Sequence, residues 1–224
     1  MLTLVIGNKN YSSWSMRPWV LMTQAGIAFE ETQVWLGEPD TATMIARHSP
    51  SGTVPVLIDR SAEGDAASEI KVWDSLAIAE YLAEKFPAKQ LWPADVALRA
   101  RARAVAAEMH SGFTALRTHM PMNIRNRYPG KGMTPDVAID LARLQSLWSE
   151  SIAASGGPFL FGQFSIADAM FAPVVFRLQT YAVAMTGHAA AYVQNMLAAP
   201  ALVKLAQLAA AEGHATKRYD SIYA

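Results

Sequence analysis

Strand signals are confined to the first third of this chain, and helical periodicity runs through the remainder. Leu2-Thr3-Leu4-Val5-Ile6 is a short β-rich run closed by Gly7-Asn8, and Trp19, Leu21, Met22 and Ala25 then follow helical spacing until Gly26. Phe29 to Leu36 alternates in places and reads as a second strand, parallel to the first if the intervening helix is a crossover. Thr41 to Arg47 is a short helical stretch, followed by the turn-rich His48 to Thr53. Val54 to Asp59 and Glu69 to Trp73 read as an antiparallel pair of strands across a polar, mobile-looking connection from Arg60 to Ser68. Asp74-Ser75 then caps an amphipathic helix whose buried side carries Leu76, Ile78, Ala79, Tyr81, Leu82 and Phe86. After Phe86 to Pro93, a connecting segment, helices are expected over 96–119, 135–155, 165–185, 189–198 and 200–211.

The order β-α-β, short helix, β-β-α in some eighty residues is that of a thioredoxin-like α/β domain, here followed by an all-helical second half. At 224 residues the chain can bury a full core. Apolar residues are 52% and charged residues 17%, which excludes disorder. Lys+Arg and Asp+Glu both number 19 and form no basic block, so nucleic acid and anionic membrane are poor partners. No run is apolar for long enough to span a bilayer, and Met1-Leu2-Thr3 lacks the basic start of a signal peptide; a cytoplasmic protein is expected. Cys is absent, so there is no disulfide, thiolate metal site or thiol nucleophile, and no metal is expected. Any sulfur chemistry must arrive with a ligand.

The stretch Tyr11-Ser12-Ser13-Trp14-Ser15-Met16-Arg17-Pro18-Trp19 joins the first strand to the first helix. Free N–H groups and the helix dipole make such a corner attractive to anions, and Pro18 suits the first turn of a helix that starts near Ser15. Ser12 and Ser13 then lie just outside it with hydroxyls to donate. The alternative is that all three serines are caps and turn formers.

Thr53-Val54-Pro55-Val56-Leu57, Asp74-Ser75-Leu76-Ala77-Ile78-Ala79-Glu80-Tyr81-Leu82 and Ser165-Ile166-Ala167-Asp168, in this order around an all-helical second half, resemble the cytosolic glutathione S-transferases. Tyr11 to Arg17 looks most like the serine-type, zeta-like members, which include maleylacetoacetate isomerases. The resemblance implies a glutathione-binding domain over 1–84, a linker over 85–93, a helical domain over 94–224, and a homodimer. It implies that glutathione is the co-substrate and that its thiol is activated for attack on a small electrophile. A glutathione-dependent isomerase and a non-catalytic glutathione binder are the alternatives.

The implied roles have physical counterparts. A cis bond before Pro55 would turn the main chain of Val54 toward the cysteinyl unit of the tripeptide. Ser75 and the free N–H groups of its helix suit the γ-glutamyl carboxylate, and Asp74 suits the ammonium beside it. Ser12 is the candidate that donates to the sulfur and lowers its pKa, with Ser13, Ser15 and Tyr11 as rivals. Trp14 stands where zeta-like proteins often carry cysteine, so no mixed disulfide with glutathione can form. Trp14, Met109, His110 and Phe113 are the expected walls of the electrophile pocket, with helix packing and subunit contacts as the alternative for the last three; Arg125 and Arg127, in a predicted loop, either draw an acidic substrate or are solvated surface charges. Ser165 and Asp168 read as a capping box with a structural role.

Overall fold

A computed structural model of the protein describes residues 1–60 and 69–223, without the side chains of 217 and 218. Strands β1 (Leu2–Ile6), β2 (Glu30–Gln33), β3 (Val56–Asp59) and β4 (Ile70–Trp73) form one sheet in the order β2-β1-β3-β4. β2 runs parallel to β1, while β3 and β4 are antiparallel to their neighbours. Helices α1 (Ser13–Gln24) and α3 (Ser75–Lys85) pack on each other, and the short α2 (Thr41–Ala46) lies between β2 and β3 in the chain. This is the expected thioredoxin-like arrangement. The polar connection expected over Arg60 to Ser68 falls, from residue 61 onward, outside the described residues.

Period-two burial explains how the sheet divides the core. Leu2, Leu4 and Ile6 point to the side covered by α1 and α3, whereas Val5, Val56 and Ile58 join Val34 and Ile45 of the α2 side. The first face continues without interruption into the helical half, made of α4 (Val96–Ser111), α5 (Thr114–His119), α6 (Pro135–Ser155), α7 (Ile166–Tyr181), α8 (Gly187–Ala198), α9 (Pro200–Ala211) and the single turn α10 (Lys217–Asp220). Every residue of α7 except Gln179 is buried, and α7 packs on α1, α4 and α8. A helix apolar on all sides belongs at the centre of such a bundle. No helix among the described residues is long and apolar enough to cross a membrane.

Several boundaries differ from the sequence reading: β2 is shorter than Phe29 to Leu36, and the helix expected over 165–185 ends at Tyr181. The helix expected over 96–119 is two helices: Gly112 ends α4 in an extended conformation, with its α-carbon so close to Glu108 that a Cβ would lie 2.7 Å from that carbonyl oxygen. Phe113 follows in the left-handed region, φ 53°, and turns the chain into α5. The first helix starts two residues earlier than expected, at Ser13, with Ser12 as its cap.

The capping box at Ser165 is present, and it reaches further than a cap. Asp168 accepts from Ser165 N–H (2.8 Å), Ser165 O–H (3.0 Å) and Leu160 N–H (3.0 Å), so it also fixes the turn preceding α7. Complete burial pushes its carboxyl up to about 6 from 3.8, against the pull of these three bonds. A raised folded pKa means that the folded state holds this proton more tightly than the unfolded chain. The stabilising contribution is therefore full below about pH 4 and lost as pH rises to about 6. Relative to the parent, an Asp168→Asn variant should gain about 2–3 kcal/mol of unfolding free energy between pH ~4 and ~7. Urea titrations at the two pH values check this, and a pH-independent difference contradicts it.

Candidate functional site

The corner between β1 and α1 is fixed by one serine oxygen. Ser15 Oγ accepts from Gly7 N–H at 3.0 Å and from the Ser12 hydroxyl at 2.8 Å, while Ser12 Oγ accepts from Ser15 N–H at 3.4 Å. Ser12 is thus a helix cap tied to the strand end, with 8% of its surface exposed. Ser13, the first helical residue, is half-buried, and its hydroxyl has no partner among the described residues.

A cleft of about 310 Å³ is lined by Trp14, Val54, Pro55, Asp74, Ser75 and His110, with Thr53 at its edge. The Val54–Pro55 bond is cis. Val54 stands two residues before β3, so its main-chain groups are not committed to that ladder. Asp74 faces it from the start of α3. Its backbone, at φ 74° and ψ 134°, lies in a region that non-glycine residues rarely occupy, a conformation that costs on the order of 1–3 kcal/mol and concentrates at functional sites. Asp74 Oδ1 accepts from Leu76 N–H (2.9 Å) and Ala77 N–H (3.1 Å), and Oδ2 lies 3.1 Å from His110 Nε2. Ser75 is 1% exposed and accepts from Arg17 Nη1 at 3.4 Å. The structure therefore brings Val54, Pro55, Asp74 and Ser75 together, and the helical half reaches them through His110.

Ser12 and Ser13 open on a second cleft, of about 410 Å³, with Tyr11, Trp14, Arg117 and Arg177 among its walls. Trp14 belongs to both clefts and stands edge-on to His110, with 5.3 Å between ring centres. Two expected pocket walls are corrected. Met109 is fully buried and Phe113 is packed edge-on against Phe171, so both belong to the core because α4 turns that side toward α7.

Tyr11 and the loop arginines are also reassigned. The Tyr11 hydroxyl donates to Asp220 Oδ2 (2.7 Å) and accepts from Arg125 Nη2 (2.7 Å) and Thr216 N–H (3.3 Å). Burial and the Asp220 bond both raise its pKa, and its single proton is given to Asp220, so it has none to donate to a thiolate. Arg125 also donates to the carbonyls of Glu212 and His214, and Arg127 to those of Ile124 and Asn126. These groups hold the C-terminal segment and the 121–128 loop together, so they do not draw substrate from solution.

The arginines that do lie beside the clefts are Arg17, Arg117 and Arg177, which the sequence reading missed. Arg17 Cζ lies 4.2 Å and Arg117 Cζ 5.5 Å from the Trp14 ring centre. Burial, then the charges of Arg177 and Arg117, push Arg17 down to about 9, with Asp74 opposing. Burial and Arg117 push Arg177 down to about 10. The available signal was an arginine inside the apolar run Ala172 to Leu178, with no acidic residue at helical spacing to pair it.

Fold and cleft together define a thioredoxin-like domain joined to a helical domain, with a cleft where they meet. The chain belongs to the glutathione S-transferase family: the family's N-terminal domain matches residues 11–85 and its C-terminal domain residues 97–202. It is similar to a glutathione transferase homologue from Burkholderia GL BGR1 with bound glutathione, at 25% identity and TM-score 0.67 over 93% of this chain and 97% of that one. Glutathione transferase Omega 2C from Trametes versicolor aligns at TM-score 0.71 and 24% identity over 100% of this chain and 99% of the other. Among curated proteins, the stringent starvation protein A homologues of Haemophilus ducreyi and Pasteurella multocida are each 24% identical over 75% of this chain and 71% of their own length.

A Tyr11→Phe variant should lose about 1–3 kcal/mol of stability, because it leaves Asp220 and Arg125 with an unmet bond in a half-buried setting. Amide exchange in residues 212–223 should quicken accordingly. Unchanged stability and exchange together with lost activity would instead place Tyr11 in the chemistry.

Proposed function

We propose that this protein binds glutathione in the 310 Å³ cleft and directs its thiolate at a small electrophile in the neighbouring one. The observation that carries this is the convergence of an uncommitted main-chain edge at Val54 with the capped, strained start of α3 at Asp74 and Ser75. Val54 suits the cysteinyl main chain by β-type pairing. Ser75 O–H and the N-terminus of α3 suit the γ-glutamyl carboxylate, and the Asp74 carboxylate suits the ammonium. The bound glutathione of the Burkholderia homologue supports the same ligand.

In this reading the sulfur points past Trp14 to the serine corner. Reversal of two hydroxyl protons makes Ser15 donate to Ser12 and Ser12 donate to sulfur, while Gly7 N–H still holds Ser15 Oγ. The start of α1 adds its dipole to that bond. Each unit of thiol pKa requires about 1.4 kcal/mol, within the range of one charge-assisted bond plus the dipole. The resulting thiolate can add to an electrophilic carbon, or add to and leave a conjugated double bond with net isomerisation, as in the maleylacetoacetate type.

A second reading, a glutathione-fold regulatory protein without turnover, is favoured by the names of the curated relatives. Turnover on a panel of halide, epoxide and enone electrophiles plus maleylacetone separates the two. We also infer a homodimer formed through the open edge of the sheet, where Ile70 and Trp73 of β4 are 42% and 46% exposed. Light scattering of a Trp73→Glu variant should show one chain mass where the parent shows two, and a monomeric parent contradicts the dimer.

The activating hydroxyl is tested by ultraviolet titration of the bound thiol. In the parent its pKa should fall below the free value of about 8.5, and Ser12→Ala should raise it by about one unit or more with glutathione affinity within about threefold. A rise with Ser13→Ala but not Ser12→Ala moves the role to Ser13. Failure of the parent to bind glutathione overturns the reading.

A further inference from the structure

The guanidinium groups of Arg17 and Arg117 lie on Trp14, that of Arg177 is near enough for its charge to act on Arg17 and to be acted on by Arg117, and none of the three has an acidic partner of its own among the described residues. Arg17 and Arg177 are 2% and 4% exposed. Arg17 Nε, Arg117 Nε and Arg177 Nη1 are buried and bond nothing among the described residues. Arg177 spends its Nε on the Met120 carbonyl, at 2.8 Å, and no ion pair among the described residues includes any of the three. Asp74 acts on Arg17 without contact, and both Asp74 oxygens are already engaged by the α3 cap and His110. Like charges gathered out of water are unfavourable for folding unless something neutralises them.

Arg117 and Arg177 also have a place from which to act. Both are walls of the second cleft, beside Ser12 and Ser13, whose remaining walls include the apolar surfaces of Trp14, Leu36, Pro121 and Met122. We infer that Arg117 and Arg177 form an anion subsite there, and that the electrophile is a small organic acid. Its carboxylate docks on the two guanidinium forks while its carbon body lies on Trp14, Pro121 and Met122. A planar fork matches a carboxylate in two parallel bonds, which fixes the orientation of the reactive carbon toward the serine corner. The apolar walls select an organic acid over a bare inorganic anion. The word electrophile rests on the glutathione reading; the anion subsite does not.

The test is calorimetry with an unreactive acid, 4-methylbenzoate, and its neutral isostere 4-methylbenzamide, each with and without glutathione. The acid should bind at least about tenfold more tightly than the amide. Because Arg177 also holds the Met120 carbonyl and its loss can unfold the protein, the half-buried Arg117 is the residue to vary. Arg117→Gln should weaken the acid by about tenfold, Arg117→Lys should restore part of that, and glutathione affinity should stay within about threefold in both. Equal binding of acid and amide, an unchanged Arg117→Gln, or inorganic phosphate binding as tightly as the acid would overturn the inference. Glutathione binding without acid binding refutes the subsite alone, whereas acid binding without glutathione binding refutes the proposed function and leaves the subsite standing.

Discussion

Everything about this site follows from where α1 begins. One oxygen, Ser15 Oγ, receives the N–H of Gly7 at the end of β1 and the hydroxyl of Ser12 at the helix cap, which locks strand end, loop and first turn into a single unit. Gly7 is needed for that approach: a Cβ there would lie 2.6 Å from Leu36 Cδ1 and 3.1 Å from Ser12 Cβ. With its start fixed, α1 buries Trp19, Leu21 and Met22 against the sheet and the helical half, and aims its N-terminus into open space beside Trp14. The cap that sequence reasoning treats as an alternative to function is thus part of the same device. Ser12 caps the helix, and through Ser15 it is also the hydroxyl whose proton can be turned outward.

In the proposed function the two clefts divide the labour of a bimolecular reaction. One combines a main-chain edge with a helix start that carries both a hydroxyl and a carboxylate, which suits a ligand bearing an ammonium and a carboxylate together. The other combines apolar surface with arginine. Trp14 lines both, so in the proposed reaction a sulfur held on one side of it faces the other. The C-terminal segment closes the far wall through Tyr219, and the Tyr11, Arg125 and Asp220 bonds anchor it there. Placing those charges in an internal clamp leaves Arg117 and Arg177 as the cationic face of the cleft.

Most of the fold was legible because it is written in local periodicity. The β-rich run Leu2 to Ile6, the turn residues before Val54, the Asp74 cap and the Ser165–Asp168 box each have short-range causes, and α6 and α9 occupy the residues that their spacing indicated. The break at Gly112 was missed because one glycine in an otherwise continuous helical pattern is readable only when its backbone contact with Glu108 is seen. Within the cleft, the meeting of Val54, Asp74 and Ser75 was legible because it follows from main chain and caps. Tyr11 and Arg125 could not be placed from the sequence for the opposite reason. Their partners, Asp220, Glu212 and His214, lie some ninety to two hundred residues away, and no spacing rule connects them. Arg177 was missed because the neighbours that give it meaning, Arg17 and Arg117, come from two other elements.

The central claim is that a tripeptide thiol occupies the first cleft with its sulfur at the start of α1. A crystal structure of the protein soaked with glutathione tests it directly. The account predicts a cysteinyl main chain paired with Val54, a γ-glutamyl carboxylate on Ser75, and a sulfur within hydrogen-bond distance of Ser12 Oγ. Glutathione bound elsewhere, or the sulfur facing away from the serine corner while the tripeptide fills the cleft, contradicts it.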